Sequence, residues 1–117
     1  MKLARGASRD VLLTGRWALK FPSLRSWKGF VMGLLANMQE REWSGYHKRL
    51  LPLSFSLPGG WLNVMPQVET RDEPLSKEEF RRLFKRARLP VENKADSLGV
   101  FYGEIVAIDY GDFGRWA

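Results

Sequence analysis

Arg9–Thr14 reads as a strand, with Val11 and Leu13 on one side. Polar and apolar positions alternate for most of Arg16–Phe21, R-W-A-L-K-F, until Pro22 stops the run. Gly15 lies between the two runs, so the pattern predicts an antiparallel hairpin. The period then changes to that of a helix, capped at Ser23 or Ser26 and running to about Lys48. Trp27, Phe30, Val31, Leu34, Leu35 and Met38 fall on one face of it. A second stripe holds Gly29, Gly33 and Ala36 and continues to Glu40, and its small residues let another backbone approach closely. The spacing predicts a central helix buried on two sides.

Leu51–Leu57 and Trp61–Pro66 are apolar runs joined by Pro58-Gly59-Gly60, which predicts a second hairpin. Glu69–Glu73 reads as a polar connection. Ser76 and Glu79 have capping-box spacing and open a helix at about Lys77 that Pro90 ends. Its apolar face is Phe80, Leu83, Phe84 and Ala87. Leu98–Tyr102 turns at Gly103 into Glu104–Tyr110, a third hairpin. The order hairpin, helix, hairpin, helix, hairpin predicts an α+β fold of antiparallel hairpins around a central helix. No repeat or long linker divides the chain, so residues 1–117 read as one domain. Residues 1–66 form its hairpin-helix-hairpin part; residues 67–117 carry the basic helix and terminal hairpin.

Composition narrows the chemistry. At 117 residues, 44% hydrophobic, with five Trp and seven Phe, the chain has ample material for one core. It has no cysteine and a single histidine, His47, which removes disulfides, thiolate metal sites and His-rich zinc sites. The net charge of +6 and pI of about 10.0 favour anionic partners: nucleotides, nucleic acid, acidic proteins or anionic lipid. The polar start does not resemble a signal peptide, and no apolar stretch is long enough to span a bilayer. The expected setting is the cytoplasm, with no membrane contact.

Lys20 closes A-L-K, Ala18–Lys20, near the end of a strand, after a small polar turn at Gly6–Ser8 and before a helix carrying Glu40 and Glu42. A late apolar strand ends in Asp109-Tyr110-Gly111. Such a set suits phosphate handling. Lys20 would hold phosphate oxygens, a helix carboxylate would fix its side chain, and Asp109 would ligate Mg²⁺. Backbone amides around Gly6 and Ser8 would cover the phosphates.

In this order the residues resemble the protein-kinase-like fold, and most of all the short kinase-like proteins of bacteriophages and prophages. The motifs are G-A-S-R-D-V (6–11), W-A-L-K-F-P (17–22), L-L-A-N-M-Q-E (34–40), L-P-G-G-W-L-N-V-M-P (57–66) and I-V-A-I-D-Y-G (105–111). The resemblance implies a kinase amino-terminal lobe with a minimal catalytic-loop hairpin, binding ATP and Mg²⁺. It favours Glu40 over Glu42 as the partner of Lys20, although Glu42 lies nearer the large apolar face. There is no H-R-D catalytic loop. Asp96 stands 109 − 96 = 13 residues before Asp109, where the kinase pattern places its second metal ligand. Glu92 would replace the catalytic base and Lys94 would stabilise the transferred phosphoryl group. After Asp109 only 117 − 109 = 8 residues follow, too few for a carboxy-terminal lobe. A protein-substrate kinase of the usual kind is therefore not expected. The resemblance implies instead a nucleotide-binding pseudokinase or degenerate phosphotransferase acting on a host or phage partner, in the host cytoplasm if phage-borne.

A second reading rests on Lys77, Arg81, Arg82, Lys85, Arg86 and Arg88. Six cations within twelve residues would suit a nucleic-acid backbone, with Trp43, Trp61 or Trp116 nearby for base stacking. The same surface would equally suit an acidic host protein, making this a non-catalytic inhibitor or scaffold. Phe113 and Trp116 near the end would dock on the domain or on a partner. A lone lobe would also leave apolar surface for self-association.

Overall fold

Three strands from the start of the chain and two from residues 55–66 build a five-stranded antiparallel sheet. It contains β1 (Lys2–Arg5), β2 (Arg9–Thr14), β3 (Trp17–Pro22), β4 (Phe55–Leu57) and β5 (Leu62–Pro66), in the order β1-β2-β3-β5-β4. A smaller antiparallel sheet follows: β6 (Glu69–Thr70), β7 (Leu98–Phe101) and β8 (Glu104–Ala107). The computed structural model describes residues 2–5 and 8–111. The chain is thus a small α+β protein with antiparallel sheets and one main helix, as its pattern predicts.

Two strands lie where the sequence predicts none. Lys2–Arg5 pairs with Asp10–Leu13, and Glu69–Thr70 pairs with Gly99–Val100. Both are edge strands, whose outer side chains can be polar without loss, so neither carries an apolar signature. The second hairpin is shorter than its apolar run. Only Phe55–Leu57 pairs with β5, while Leu50 and Leu51 are fully buried. The Leu51 backbone N–H donates to the Ala107 carbonyl at 2.9 Å, and Ala107 N–H donates to Arg49 at 2.7 Å. These bonds tie the chain after the helix to the second sheet.

The main helix, α1 (Trp27–Trp43), is capped by the Ser26 hydroxyl, which accepts from Gly29 N–H at 3.0 Å. It ends five residues before Lys48, because Ser44 leaves the helical conformation and Gly45 takes φ 83°. The expectation of two buried faces is half corrected. The small-residue stripe Gly29, Gly33, Ala36, Asn37 and Glu40 is buried, whereas the large apolar face is not: Trp27 is 78% exposed. Gly33 explains the choice. A Cβ there would meet the Ser8 carbonyl oxygen and come within 2.7 Å of Pro22 Cα, so backbone lies where a side chain would project. The bulky face packs its own rings together and against Trp61. Trp27 stacks on Phe30 at 5.9 Å, and Phe30 meets Trp61 at 5.6 Å.

The second helix is also shorter than its pattern. α2 (Lys77–Phe80) is capped by Ser76, then widens into one π turn over Arg81–Lys85. Phe80, Leu83 and Phe84 are buried as expected, beside Leu75, Leu89, Val91, Leu98 and Val106. The outer face of the larger sheet is different. Leu3, Leu12, Leu19, Val64 and Phe55 are successive cross-strand partners there, all at least partly exposed.

Candidate functional site

Strand alternation puts Ala18, Lys20 and Pro22 of β3 on the buried face, opposite Leu13, Val11 and Arg9 of β2. Lys20 is only 6% exposed, so its ammonium needs partners. Nζ donates to Glu40 Oε2 at 3.0 Å and to the Ile108 carbonyl oxygen. Glu40, fully buried on α1, also accepts from Arg9 Nη1 at 3.0 Å, Asn63 Nδ2 at 3.3 Å and the Tyr110 backbone N–H at 3.2 Å. Arg9 extends the network in two directions. Nη1 donates to Asn37 Oδ1 at 2.9 Å, and Nη2 donates to Asp109 Oδ1 at 2.6 Å. Asn37 Nδ2 in turn donates to the carbonyls of Lys20 and Gly60 at 3.1 and 2.9 Å. Among the described residues no buried side-chain nitrogen or oxygen lacks a partner. The network joins β2, β3, α1, β5 and the chain after β8.

Its electrostatics follow from who faces whom. Burial alone would push the Glu40 carboxyl up, but Arg9 and Lys20 together outweigh it and hold Glu40 below the usual carboxylate range. Lys20 shifts the opposite way for its kind: burial pulls it down, and Arg9 opposes the help it receives from Glu40 and Asp109. The partners differ because Glu40 sees two close cations, whereas Lys20 sees one close carboxylate and a competing cation. Burial also pushes Asp109 up, but Arg9 and then Lys20 leave it low. For Tyr110, burial and then Glu40 raise the phenol well above its ordinary value, and its hydroxyl donates to the Leu51 carbonyl at 2.6 Å.

These shifts set a pH dependence. Glu40 and Asp109 have folded values below their ordinary 4.5 and 3.8, so their stabilisation is complete above those values and is lost as pH falls through the folded ones. Urea stability should therefore hold level from about pH 7 to pH 5 and decline below about pH 4. Undiminished stability at about pH 3 would contradict the ionised network.

Beside the network lies a cavity of about 800 Å³, within the range of small-molecule sites. Its lining includes Ser8, Lys20, Glu92, Lys94, Asp96 and Asp109, which gathers every described candidate except Glu40. Glu40 sits behind the wall, holding Lys20 and Arg9. Gly6 lies outside the described residues. Glu42 is exposed, so Glu40 is the carboxylate that pairs with Lys20. Glu92 and Lys94 form an ion pair at 2.9 Å at the cavity edge. Val11, Leu13, Ala18, Met65, Val68 and Ile108 give the same cavity an apolar side.

The site also holds residues that the pattern alone did not single out: Arg9, Asn37, Asn63 and Tyr110. One signal was present for Asn37, which precedes Glu40 by three residues and so lies on the same buried stripe. A fit to Mg²⁺ is poor as the residues stand. Asp109 Oδ1 carries the Arg9 guanidinium, and among the described residues no three acidic or histidine side chains converge as a metal-binding group.

The cations of the second reading, Arg81, Arg82, Lys85, Arg86 and Arg88, are all exposed, and Arg82 faces Glu79 at 3.8 Å. Trp61 belongs to the ring cluster on α1, and Phe113 and Trp116 lie outside the described residues. Among the described residues no helix is long and apolar enough to cross a membrane. Comparison with protein-family models, curated proteins and solved structures finds no match.

Proposed function

We propose that the protein is a small kinase-like nucleotide-binding protein that takes ATP or a close relative in the 800 Å³ cavity. The observation that carries this reading is convergence. Residues from positions 20, 40 and 109, far apart in sequence, meet in one hydrogen-bonded network at the wall of one cavity. A buried lysine aimed by a buried glutamate is the arrangement that phosphate oxygens require of a point charge. The base would lie on the apolar side formed by Val11, Ala18, Met65 and Ile108, with the phosphates towards Lys20 and Arg9. Ser8 borders that end. Glu92 and Lys94 stand at the rim, where a weak base and a phosphoryl-stabilising cation would sit if the protein turns over. Binding rather than turnover is the core of the proposal, and a degenerate phosphotransferase or pseudokinase acting on a host or phage partner is its fullest form.

Calorimetric titration of the full chain with ATP should give saturable binding at or below about 1 mM, an affinity equivalent to roughly 4 kcal/mol. Absence of heat and of thermal stabilisation at that concentration would remove the nucleotide reading.

The exposed cations at Arg81, Arg82, Lys85, Arg86 and Arg88 favour a second reading, an interaction surface for nucleic acid or an acidic protein. That reading needs no ligand in the cavity and would survive loss of Lys20.

A further inference from the structure

We propose that Arg9, rather than a divalent cation, supplies the second positive charge to a bound polyphosphate, so that nucleotide binding does not require Mg²⁺. The inference rests on the nucleotide reading above and assigns Asp109 a role opposite to a metal ligand.

The geometry is specific. Arg9 is 9% exposed, yet it borders the cavity. Its guanidinium is held by three separate acceptors, Asn37 Oδ1, Glu40 Oε1 and Asp109 Oδ1, so its direction is fixed before any ligand arrives. Those bonds use both Nη1 hydrogens and one of the Nη2 pair. The guanidinium has five N–H donors, so Nε–H and one Nη2–H are without a protein acceptor among the described residues. Lys20 likewise commits two of three ammonium donors, to Glu40 and Ile108. Two preorganised cations, each with donor capacity left, are what a polyphosphate needs.

Asp109 is the deciding residue. Its side chain is 47% exposed, but one of its oxygens, Oδ1, carries a guanidinium at 2.6 Å. A metal ion at Oδ1 would have to displace a cation that Asn37 and Glu40 hold in place, and one at the other oxygen would sit beside that same positive charge. Within the network Arg9 and Lys20 face Glu40 and Asp109. A divalent cation there would meet like charge on Arg9, whereas a polyphosphate draws on donors already aimed. Asp109 therefore acts as a positioning residue for Arg9, and its charge opposes an incoming anion.

The two roles give opposite signs on substitution. If Asp109 ligates a metal, Asp109→Asn weakens ATP binding and abolishes its dependence on Mg²⁺. If Asp109 only aims Arg9, Asp109→Asn keeps an oxygen for the guanidinium and removes a repulsive charge, so ATP binds more tightly without metal. The experiment is calorimetric titration of the full chain with ATP, once in excess EDTA and once in excess MgCl₂, for the wild type, Asp109→Asn and Arg9→Lys. Expected results are wild-type affinities within about threefold between the two buffers, and a gain of about threefold or more for Asp109→Asn in EDTA. Arg9→Lys keeps the charge but cannot hold three acceptors in a plane, so it should lose about tenfold or more in EDTA. A circular dichroism melt checks folding, and Asp109→Asn alone decides the matter should Arg9→Lys not fold. Binding seen only with Mg²⁺, or a tenfold loss for Asp109→Asn, overturns the role of Arg9 while leaving the nucleotide site standing. No binding in either buffer overturns both.

Discussion

Glu40→Ala is expected to unfold the protein, or to lower its stability by about 3–5 kcal/mol, the usual result of removing one partner from a buried charge network. That is a large part of the roughly 5–15 kcal/mol that holds a domain together. The reason is the number of groups Glu40 serves. Its two oxygens take Lys20, Arg9, Asn63 and the Tyr110 backbone N–H, and the residue is fully buried. Alanine would leave Lys20 with one carbonyl and deprive the Arg9 guanidinium of its fully buried carboxylate. It would also leave a void between α1 and β3, beside two cations that are only 9% and 6% exposed. Chemical denaturation read by tryptophan fluorescence measures the loss. Glu42→Ala, two residues further along α1 on an exposed side, is the control and should change stability by less than about 0.5 kcal/mol. Equal effects at the two positions would show that the network does not hold the fold.

Much of the architecture was legible because period and punctuation agreed. The β2–β3 hairpin, the Ser26 cap, the Pro58-Gly59-Gly60 turn and the Ser76 cap all fall where the residues place them. The edge strands β1 and β6 were hidden because an exposed edge imposes no apolar pattern. α1 misled in a more instructive way. Its large apolar face looks like a core face, but a helix packs as closely as its smallest residues allow, and Gly29, Gly33 and Ala36 admit backbone. Gly60 answers from the other side, where a Cβ would come within 2.8 Å of the Leu34 carbonyl carbon. Burial of the small stripe then forces Asn37 and Glu40 inward, and their polarity forces the partners Arg9, Lys20 and Asn63.

The candidate site was legible to the same extent and failed for the same reason. Lys20 and Asp109 stood out as charges near strand ends and Glu40 as a carboxylate on the small-residue stripe of the helix, and their order along the chain linked them. Arg9 did not stand out, because an arginine opening a strand next to Asp10 reads as an ordinary exposed pair. Asp10 instead pairs with Arg25 at 2.7 Å, and Arg9 turns inward on the opposite face of β2. Strand alternation permits both orientations, so only the third dimension chooses.

Lys20→Met separates binding from folding. Methionine matches the lysine stem in length and places an apolar chain where Ala18 and Met65 already lie. Glu40 would keep Arg9, Asn63 and the Tyr110 backbone N–H, so no buried carboxylate is left bare. Replacing a buried charge by a well-packed apolar side chain while its counter-ion retains another partner is often tolerated. The variant should therefore fold. Its loss appears at the ligand, because a charge-assisted hydrogen bond to phosphate disappears together with the charge that draws the anion in. At about 1.5–3 kcal/mol for such a bond, ATP affinity should fall roughly tenfold to 100-fold. Charge reversal at Arg81, Arg82, Lys85 and Arg86, on an exposed turn that does not line the cavity, should leave ATP affinity within about twofold. A folded Lys20→Met protein that binds ATP as the wild type does would dismiss the cavity as a phosphate site and return the cationic turn to the fore.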